Sequence, residues 1–241
     1  MSGHSKWATI HRKKGLIDAQ RGKVFQKLAK EIMVAAKGGS PDPNENASLR
    51  LAVDKAKAAN MPKDNIENAI KKASGSQDGE NFELVRYEGY GPNGVAFMVD
   101  CLTDNRNRTA PQVRNCFTKS GGNLGTDGSV SYMFQRKGEI VISDGYDEDE
   151  MMMASLDAGA EDFEHEENEY IITTDQDSFT KVRDALEENG VKEFSSCELT
   201  YIPTMEVEVT DSESLEKVMK LVERLEDLDD VQDVYYNLKE E

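Results

Sequence analysis

Two segments in the second half of the chain repeat one pattern of residues. TDQDSFTKV (174–182) and TDSESLEKV (210–218) share Thr, Asp, Ser, Lys and Val in register. Each follows an apolar strand pattern, EYIIT or MEVEV, and each leads through a helical pattern to a further strand, ELTYIP or DVYYNL. A strand-helix-strand unit that occurs twice predicts two α+β domains of the split βαβ, ferredoxin-like type. In both copies we expect the Thr or the Asp to cap the helix.

The position of the repeat also predicts that one α+β domain is inserted into the other. The first copy has its partner segments nearby, in EIVIS, MMMASLDAG and YIITT. The second copy must be completed by earlier segments, which are a hairpin over 83–103 around a Pro-Asn-Gly turn, a short helix over 111–119 and the strand GSVSYMF. The region near 139–200 therefore interrupts a domain that is built from both sides of it.

The first third of the chain has a helical period instead. Apolar residues recur at helical spacing in GKVFQKLAKEIMVAAKGG, ASLRLAVDKAKAAN and MPKDNIENAIKKAS, so each segment has one face to bury. Three such helices make a small bundle. The turn Asn60-Met61-Pro62 resembles that of a helix-turn-helix DNA reader, a weak signal because any antiparallel helix pair has such a turn.

The predicted fold class is therefore α+β and multidomain, with an N-terminal three-helix domain followed by two ferredoxin-like α+β domains, one inserted in the other. The predicted limits are 1–78 for the basic arm and helical domain, 79–138 plus 202–241 for the discontinuous α+β domain, and 139–201 for the inserted acidic α+β domain.

Charge is also distributed unevenly along the chain, with basic residues in excess near the N-terminus and acidic residues in excess in the second half. Residues 1–75 contain 15 Lys and Arg against 7 Asp and Glu, whereas residues 138–241 contain 7 against 33, within a formal net charge of -18. Such asymmetry points to an N-terminal end that meets a polyanion, on a body that nucleic acid would repel. The alternative is that both ends only keep the protein in solution.

The basic residues near the N-terminus form a candidate nucleic-acid surface. An acid-free arm leads into the first helix, whose lysines gather opposite its apolar stripe on a wheel of about 100° per residue. A row of lysines is otherwise a plain solvated face. Trp7 either stacks on a base or anchors the arm to the bundle. The candidate residues here are Lys6, Trp7, His11, Arg12, Lys13, Lys14, Arg21, Lys23, Lys27 and Lys30.

A second candidate anion site lies in TDNRNRTAPQVR. We expect Arg106 and Arg108 in the loop before a helix that begins at Pro111, and Arg114 on its first turn, where free N–H groups and the helix dipole favour a phosphate. The alternative is that these arginines pair with Asp100, Asp104 or acids of the other domain. The glycine-rich GGNLGTDGSV matches no phosphate-binding spacing and indicates turn geometry.

No catalytic, metal or cofactor constellation emerges from the sequence. The three histidines have no Cys, Ser or ligand partner at helpful spacing, so we predict a protein that is not an enzyme and holds no metal or cofactor. We expect Cys101, Cys116 and Cys197 to be small core residues in a reducing compartment. No apolar stretch resembles an export signal or a membrane span, and we expect a cytoplasmic protein.

Several motifs resemble those of a known family. GHSKW, DAQRGKVFQKLAKEI, NMPKDNIENAIKKA, YEGYGPNG, TDNRNRT and GGNLGTDGSV are together similar to the YebC/PmpR family, which has mitochondrial relatives that act as translational activators. The resemblance covers almost the whole chain. It implies a helical N-terminal domain and two α+β domains, and a regulatory role without catalysis.

The resemblance implies two different partners. One is promoter DNA, bound by a transcriptional regulator, and this is our leading hypothesis. The other is ribosomal RNA or tRNA, bound by a ribosome-associated translation factor that relieves stalling on proline-rich stretches. We expect no membrane partner and a monomer, although the sequence leaves the oligomeric state open.

Overall fold

The computed structural model describes residues 18–75, 82–166 and 168–239. Within these ranges it contains seven α-helices and eight β-strands. They are α1 (Asp18–Lys37), α2 (Ala47–Ala58), α3 (Lys63–Gly75), β1 (Glu83–Tyr90), β2 (Ala96–Thr103), α4 (Arg106–Lys119), β3 (Asn123–Leu124), β4 (Phe134–Ser143), α5 (Glu148–Asp157), β5 (Ala160–Glu166), β6 (Glu169–Thr174), α6 (Phe179–Glu188), β7 (Ser196–Pro203), α7 (Ser212–Glu226) and β8 (Val231–Tyr236).

The helical unit (α1 to α3) forms because each helix buries one apolar stripe. Asn46 caps α2 by accepting a hydrogen bond from the N–H of Leu49. The chain then reverses at Asn60, whose φ of 58° lies in the left-handed region, and the N–H of Met61 donates to the carbonyl of Ala56. Met61 is buried among the stripes, and α3 begins directly after Pro62, as the sequence indicated. The shared core is Leu28, Ile32, Ala36, Leu49, Ala52, Val53, Ala56, Met61, Ile66, Ala69 and Ala73.

The second unit contains a four-stranded antiparallel sheet in the order β3-β1-β2-β8. The predicted hairpin over 83–103 is confirmed, and its turn is formed by Asn93 and Gly94 with φ angles of 59° and 74°. Every residue of β2 is buried, because β1 and β8 flank it and α4 and α7 contribute to the core beneath it. The last strand of the chain therefore lies beside one of the first.

Three element predictions for this unit were wrong. The helix begins at Arg106, with Asn105 as its cap, and Pro111 lies inside it. GSVSYMF is not one strand, because the N–H groups of Val130 and Ser131 donate to the Glu88 carboxylate and leave the strand ladder. MEVEV forms only an isolated parallel bridge, between Val207 and Leu238.

The third unit (residues 134–203) contains the three predicted strands and two predicted helices together with a strand that was not predicted, β5, which gives the order β-α-β-β-α-β and the sheet order β5-β6-β4-β7 with antiparallel neighbours. Helices α5 and α6 cover one face. Gly138 is required where α6 crosses β4, since a Cβ there would contact Thr174 and the Phe179 ring. The core is Ile140, Ile142, Met151, Tyr170, Ile172, Phe179, Val182, Leu186, Val191 and Cys197.

The repeated TD segments make the same local hydrogen bond. Asp175 accepts from the N–H of Ser178 at 2.7 Å, and Asp211 accepts from the N–H of Ser214 at 2.8 Å. Asp211 is the N-cap of α7, as predicted, whereas the N-cap of α6 is Ser178 without a side-chain bond. Both copies of the repeat thus make the aspartate hydrogen bond, but the helix begins at a different position relative to the aspartate in each copy.

The predicted fold class is confirmed, since the helical unit precedes two α+β units and the third is inserted between β3 and β8 of the second. The residue limits given to the domains from the sequence stay predictions. No helix among the described residues has the length and apolar character needed to cross a membrane.

Candidate nucleic-acid interface

Six candidate residues fall outside the part of the chain that the structure describes. They are Lys6, Trp7, His11, Arg12, Lys13 and Lys14. Of the others, Arg21 is exposed in the first turn of α1. The roles of these seven residues in binding nucleic acid stay predictions.

The lysine row of α1 lies against the end of α7 and the turn that follows it. The Lys27 ammonium donates to the Glu226 carbonyl at 2.6 Å, and Lys23 reaches the Asp227 carboxylate at 3.3 Å. Lys30 donates to the Asp229 carbonyl at 3.0 Å. Carbonyls at a helix C-terminus lack intrahelical partners and carry the negative end of the dipole, so ammonium groups are stabilised there. The lysine face of α1 is therefore partly covered by these polar contacts, while the opposite face packs in the core.

Asp230 joins this row to the arginine-rich segment. Its side chain is 4% exposed, and its Oδ2 accepts from the Arg108 guanidinium at 2.7 Å and from the Thr109 hydroxyl at 2.9 Å. Its Oδ1 lies 3.3 Å from the Lys30 ammonium. One buried carboxylate thus brings together Lys30 and Arg108, which are far apart in sequence.

These contacts fix the charge of the Asp230 carboxylate. Burial alone raises its pKa, but hydrogen bonds from Arg108, Thr109 and Lys30 outweigh burial, and the pKa lies below its ordinary value. The same bond, with one to Asp104, raises the pKa of Arg108. Both groups are therefore ionised at neutral pH.

The remaining arginines are placed differently from one another. Arg106 forms an ion pair with Glu83 at 2.7 Å, and both side chains are about half exposed. Arg114 is exposed and lies about two turns into α4, because the helix begins earlier than predicted. The expectation that Arg114 occupies the first helical turn was therefore wrong. The structure brings Lys23, Lys27, Lys30 and Arg108 into one region.

A second polar contact holds α2 against the α+β units. Arg183 of α6 is buried and donates to Asp54 at 2.8 Å. The Lys55 ammonium lies 3.2 Å from Glu31, and 3.6 Å from both Glu198 and Asp233. Leu51 adds an apolar contact to the core of the third unit. The helical unit is thus attached to both neighbours mainly through charged groups.

The two α+β units meet at Arg86. Its guanidinium donates to both oxygens of Asp100, at 2.7 and 2.8 Å, and lies 4.3 Å from the centre of the Tyr201 ring. The Tyr201 ring in turn packs edge-on against Tyr235. A guanidinium that is paired on one side and stacked on the other fixes β1 against β7.

Glu88 explains the glycine-rich segment. Its buried carboxylate accepts from the backbone N–H groups of Gly128, Val130 and Ser131 at 2.8–2.9 Å. Burial raises the Glu88 pKa, but these three bonds lower it by more, so it stays below the ordinary value. The segments YEGYGPNG and GGNLGTDGSV therefore hold each other in place, which supports a structural reading of the loop.

The cysteines are core residues, as predicted. Burial raises the pKa of the Cys101 and Cys197 thiols to about 12, and it also raises that of Cys116. All three are buried, and thiols with these pKa values stay protonated at neutral pH. Within the described ranges no cluster of three or more His, Cys, Asp or Glu side chains is arranged to hold a metal ion.

Comparison with known proteins decides the family. The profile described as "TACO1/YebC protein N-terminal domain" matches residues 5–76, and the profile described as "TACO1/YebC second and third domain" matches residues 82–238. The chain belongs to the TACO1/YebC family. The resemblance seen in the sequence motifs is confirmed.

Relatives within the TACO1/YebC family match over their full length. A probable transcriptional regulatory protein of Geobacillus kaustophilus (strain HTA426) is 55% identical over 243 residues, covering 100% of this chain and 98% of the relative. One from Clostridium acetobutylicum (strain ATCC 824) is 57% identical over 239 residues, covering 98% and 96%. The crystal structure of a conserved hypothetical protein from Aquifex aeolicus has a TM-score of 0.85 at 48% identity, covering 98% and 97%.

Sequence reasoning named Asp104 as a possible partner of Arg108 but missed Asp230 and the carbonyls near it in this TACO1/YebC protein. The acids of the last third were interpreted as solvating charge, yet Asp230 is buried and the carbonyls of Glu226, Asp227 and Asp229 accept hydrogen bonds from lysines. Every residue has a backbone carbonyl, so a sequence does not show which carbonyls accept hydrogen bonds from lysines. The only available signal was the acid run EDLDD between a helix and a strand, which does not distinguish the buried Asp230 from its exposed neighbours.

Proposed function

We propose that this chain is a nucleic-acid-binding regulator without catalytic activity, acting in the cytoplasm on promoter DNA as a transcriptional regulator. One observation carries the proposal, namely that the lysine row of α1 and Arg108 occupy a single region although they come from separate segments. The relatives named probable transcriptional regulatory proteins, identical at 55% or more, support the choice of process.

Binding on this proposal is electrostatic and directed at phosphates. The α1 lysines, together with the basic arm that precedes them, contact the backbone of the duplex, and each phosphate that is neutralised releases a condensed counterion. The acidic remainder of the chain repels DNA, which restricts binding to the N-terminal end. Affinity should therefore fall steeply as salt is raised.

The first test measures the salt dependence of binding to a fluorescent 30-base-pair promoter duplex. We expect the double variant Lys23→Ala/Lys27→Ala to bind more weakly and to reduce the slope of log K against log salt by about two, since each lost phosphate contact removes about 0.9. Arg12→Ala/Lys13→Ala/Lys14→Ala should reduce it further.

The control is Lys217→Ala/Lys220→Ala, which removes the same charge from the outer face of α7, where both lysines are exposed and paired within the helix. It should leave the slope unchanged. A wild-type protein that fails to bind the duplex, or equal slopes for the two double variants, would overturn the proposal.

A second candidate function is a ribosome-associated translation factor that binds rRNA or tRNA. It is favoured by the exposed face of α3, where Lys63, Glu67 and Lys71 form a row of ion pairs and the helix contains no arginine or glutamine to read base edges. Folded RNA is recognised largely by shape, which suits such a surface.

Sedimentation of cell extract on a sucrose gradient distinguishes the two candidates. Co-migration with ribosomes that survives DNase treatment favours the translation factor. Selective retention of a promoter duplex by the free protein, without ribosome association, favours the transcriptional regulator.

A further inference from the structure

The lysines assigned to phosphate binding are already occupied within the chain. The name α1 latch is used here for Lys23, Lys27 and Lys30 together with their acceptors in residues 226–230. Its acceptors are a row of oxygens at the negative end of a helix, chemically similar to the oxygens along a phosphate backbone. A polyanion and the end of α7 therefore compete for the same ammonium groups.

The two occupants exclude each other. Lys27 and Lys30 are half-buried under the turn, so a rigid duplex has access to them only when α1 and the turn separate. The exposed carboxylates of Asp227 and Asp229 would also face the phosphates of a duplex laid along this row. Because like charges repel each other, these two carboxylates would oppose binding of the duplex.

The latch is built to open at low cost. The Lys23–Asp227 pair has side chains 48% and 71% exposed, and pairs of that kind are weak and screened by salt. When Lys30 leaves, Asp230 keeps its bonds from Arg108, Thr103 and Thr109. Opening therefore leaves no uncompensated buried charge, the condition that makes breaking a buried ion pair expensive.

Opening the contact between α2 and Arg183 would, in contrast, leave a buried charge less well compensated. The Arg183 side chain is 5% exposed, and release of Asp54 would remove one of its two carboxylate partners. Leu51 would also lose its apolar surroundings. The α2 contact thus resists separation more than the α1 latch, and it can serve as the pivot of a movement.

We infer that the α1 latch is an autoinhibitory contact, and that nucleic acid opens it by displacing residues 226–230 from the lysines while α2 stays attached to the third unit. This inference rests on the proposed function and adds a regulatory step to it. The free protein is mostly latched, so its apparent affinity is the intrinsic affinity reduced by the open fraction.

The experiment measures the distance between α1 and α7 by pulsed electron spin resonance on the full chain, with nitroxide labels at Gln26→Cys and Ser212→Cys. Both positions are exposed, and the three native cysteines are buried and escape labelling. A saturating 30-base-pair duplex, or a hairpin RNA if only RNA binds, should shift the distance distribution to longer values.

Matched variants separate the latch from general charge. Asp227→Lys/Asp229→Lys opens the latch by repulsion without altering any lysine, and should lengthen the distance without nucleic acid. Asp149→Lys/Asp157→Lys adds the same charge at exposed positions of α5 and should not. The first variant should bind the duplex at least threefold to tenfold more tightly than the second, for a latch that is open in about a tenth to a third of molecules, and the loss of two carboxylates that face the phosphates adds to this gain.

Two results would overturn the inference. One is nucleic acid binding with the distance distribution unchanged, and the other is equal affinity of the two charge variants. If the wild type bound neither DNA nor RNA, the proposed function would be wrong, and so would the proposed competition between nucleic acid and residues 226–230 for the lysines. A distance that lengthened only in Asp227→Lys/Asp229→Lys would then show an interdomain contact unrelated to nucleic acid.

Discussion

At the scale of single residues, Asp230 decides how the arginine-rich segment is interpreted. Arg108 is committed to that buried carboxylate and to Asp104, whereas Arg106 makes an exposed pair with Glu83. Both arginines are therefore in ion pairs, but the Arg106 pair is exposed and that of Arg108 includes a buried carboxylate. Loss of Arg108 would therefore also lower stability, so Arg106 and Arg114 are better suited to a test of function that leaves stability intact.

We expect Asp230→Asn to lower the free energy of unfolding by about 2 kcal/mol at pH 7, because the negative charge is lost and the amide keeps one acceptor oxygen, so its NH2 group faces either Lys30 or Arg108. The folded-state pKa of Asp230 is lowered, so its stabilisation is fully present above the ordinary value of about 4 and declines as pH falls through the lowered one. Urea unfolding from pH 6 to pH 3 should show the difference between wild type and variant shrinking.

The exposed neighbour provides the control for that measurement. Asp229 contacts Lys30 only through its backbone carbonyl, so Asp229→Asn should change stability by less than about 0.5 kcal/mol at any pH. A difference between wild type and Asp230→Asn that grew on acidification would contradict the assigned role of the carboxylate.

At the scale of elements, local patterns predicted type well and boundaries less well. The three N-terminal helices, the hairpin and the third unit apart from β5 follow from periodicity, because each buries one face, whereas β5 is polar and has no buried residue. The start of α4 was misplaced because Pro111 suggested a first turn, while Asn105 caps the helix six residues earlier. The strand GSVSYMF failed for a non-local reason, the Glu88 carboxylate that takes its N–H groups.

The cap of α4 is testable by itself. The Asn105 side chain accepts from the N–H of Arg108 at 3.1 Å. We expect Asn105→Ala to cost about 1 kcal/mol of unfolding free energy and Asn105→Ser, which can still accept, to restore most of it. Amide hydrogen exchange should localise the loss to the first turn of α4. Equal stability of the Ala and Ser variants would show that the cap contributes little.

At the scale of the whole molecule, the sequence predicted the three units but not their arrangement. Charge sorting showed a basic end and an acidic end, and the structure brings the two into contact along α1. Interfaces of this kind depend on carbonyls and on single acids among many, such as Asp54 and Asp230, so neither periodicity nor composition identifies them. Fold class is accessible from one sequence, whereas the surface that the units share is not.

The pivot assigned to α2 gives a prediction at this scale. Arg183→Ala should destabilise the protein by about 2–3 kcal/mol, since it removes the buried partner of Asp54. It should also increase amide exchange along α2, where the helical unit meets the third unit. The control Lys57→Ala removes the exposed partner of the same carboxylate and should have little effect. Unchanged exchange in α2 would argue against the pivot.

The insertion of residues 134–203 between β3 and β8 bears on how the chain is synthesised. All four strands of the inserted unit are made consecutively, so its sheet can close while the C-terminus is still being translated. Strand β2 can pair with β8 only after about 130 more residues have been translated. At ordinary elongation rates this takes roughly 6–26 s. During that interval the apolar segment AFMVDCLT lacks one neighbour, and α7 has not yet been made to cover it. The nascent chain is therefore most vulnerable to aggregation through its second unit, and that unit is the last to become native.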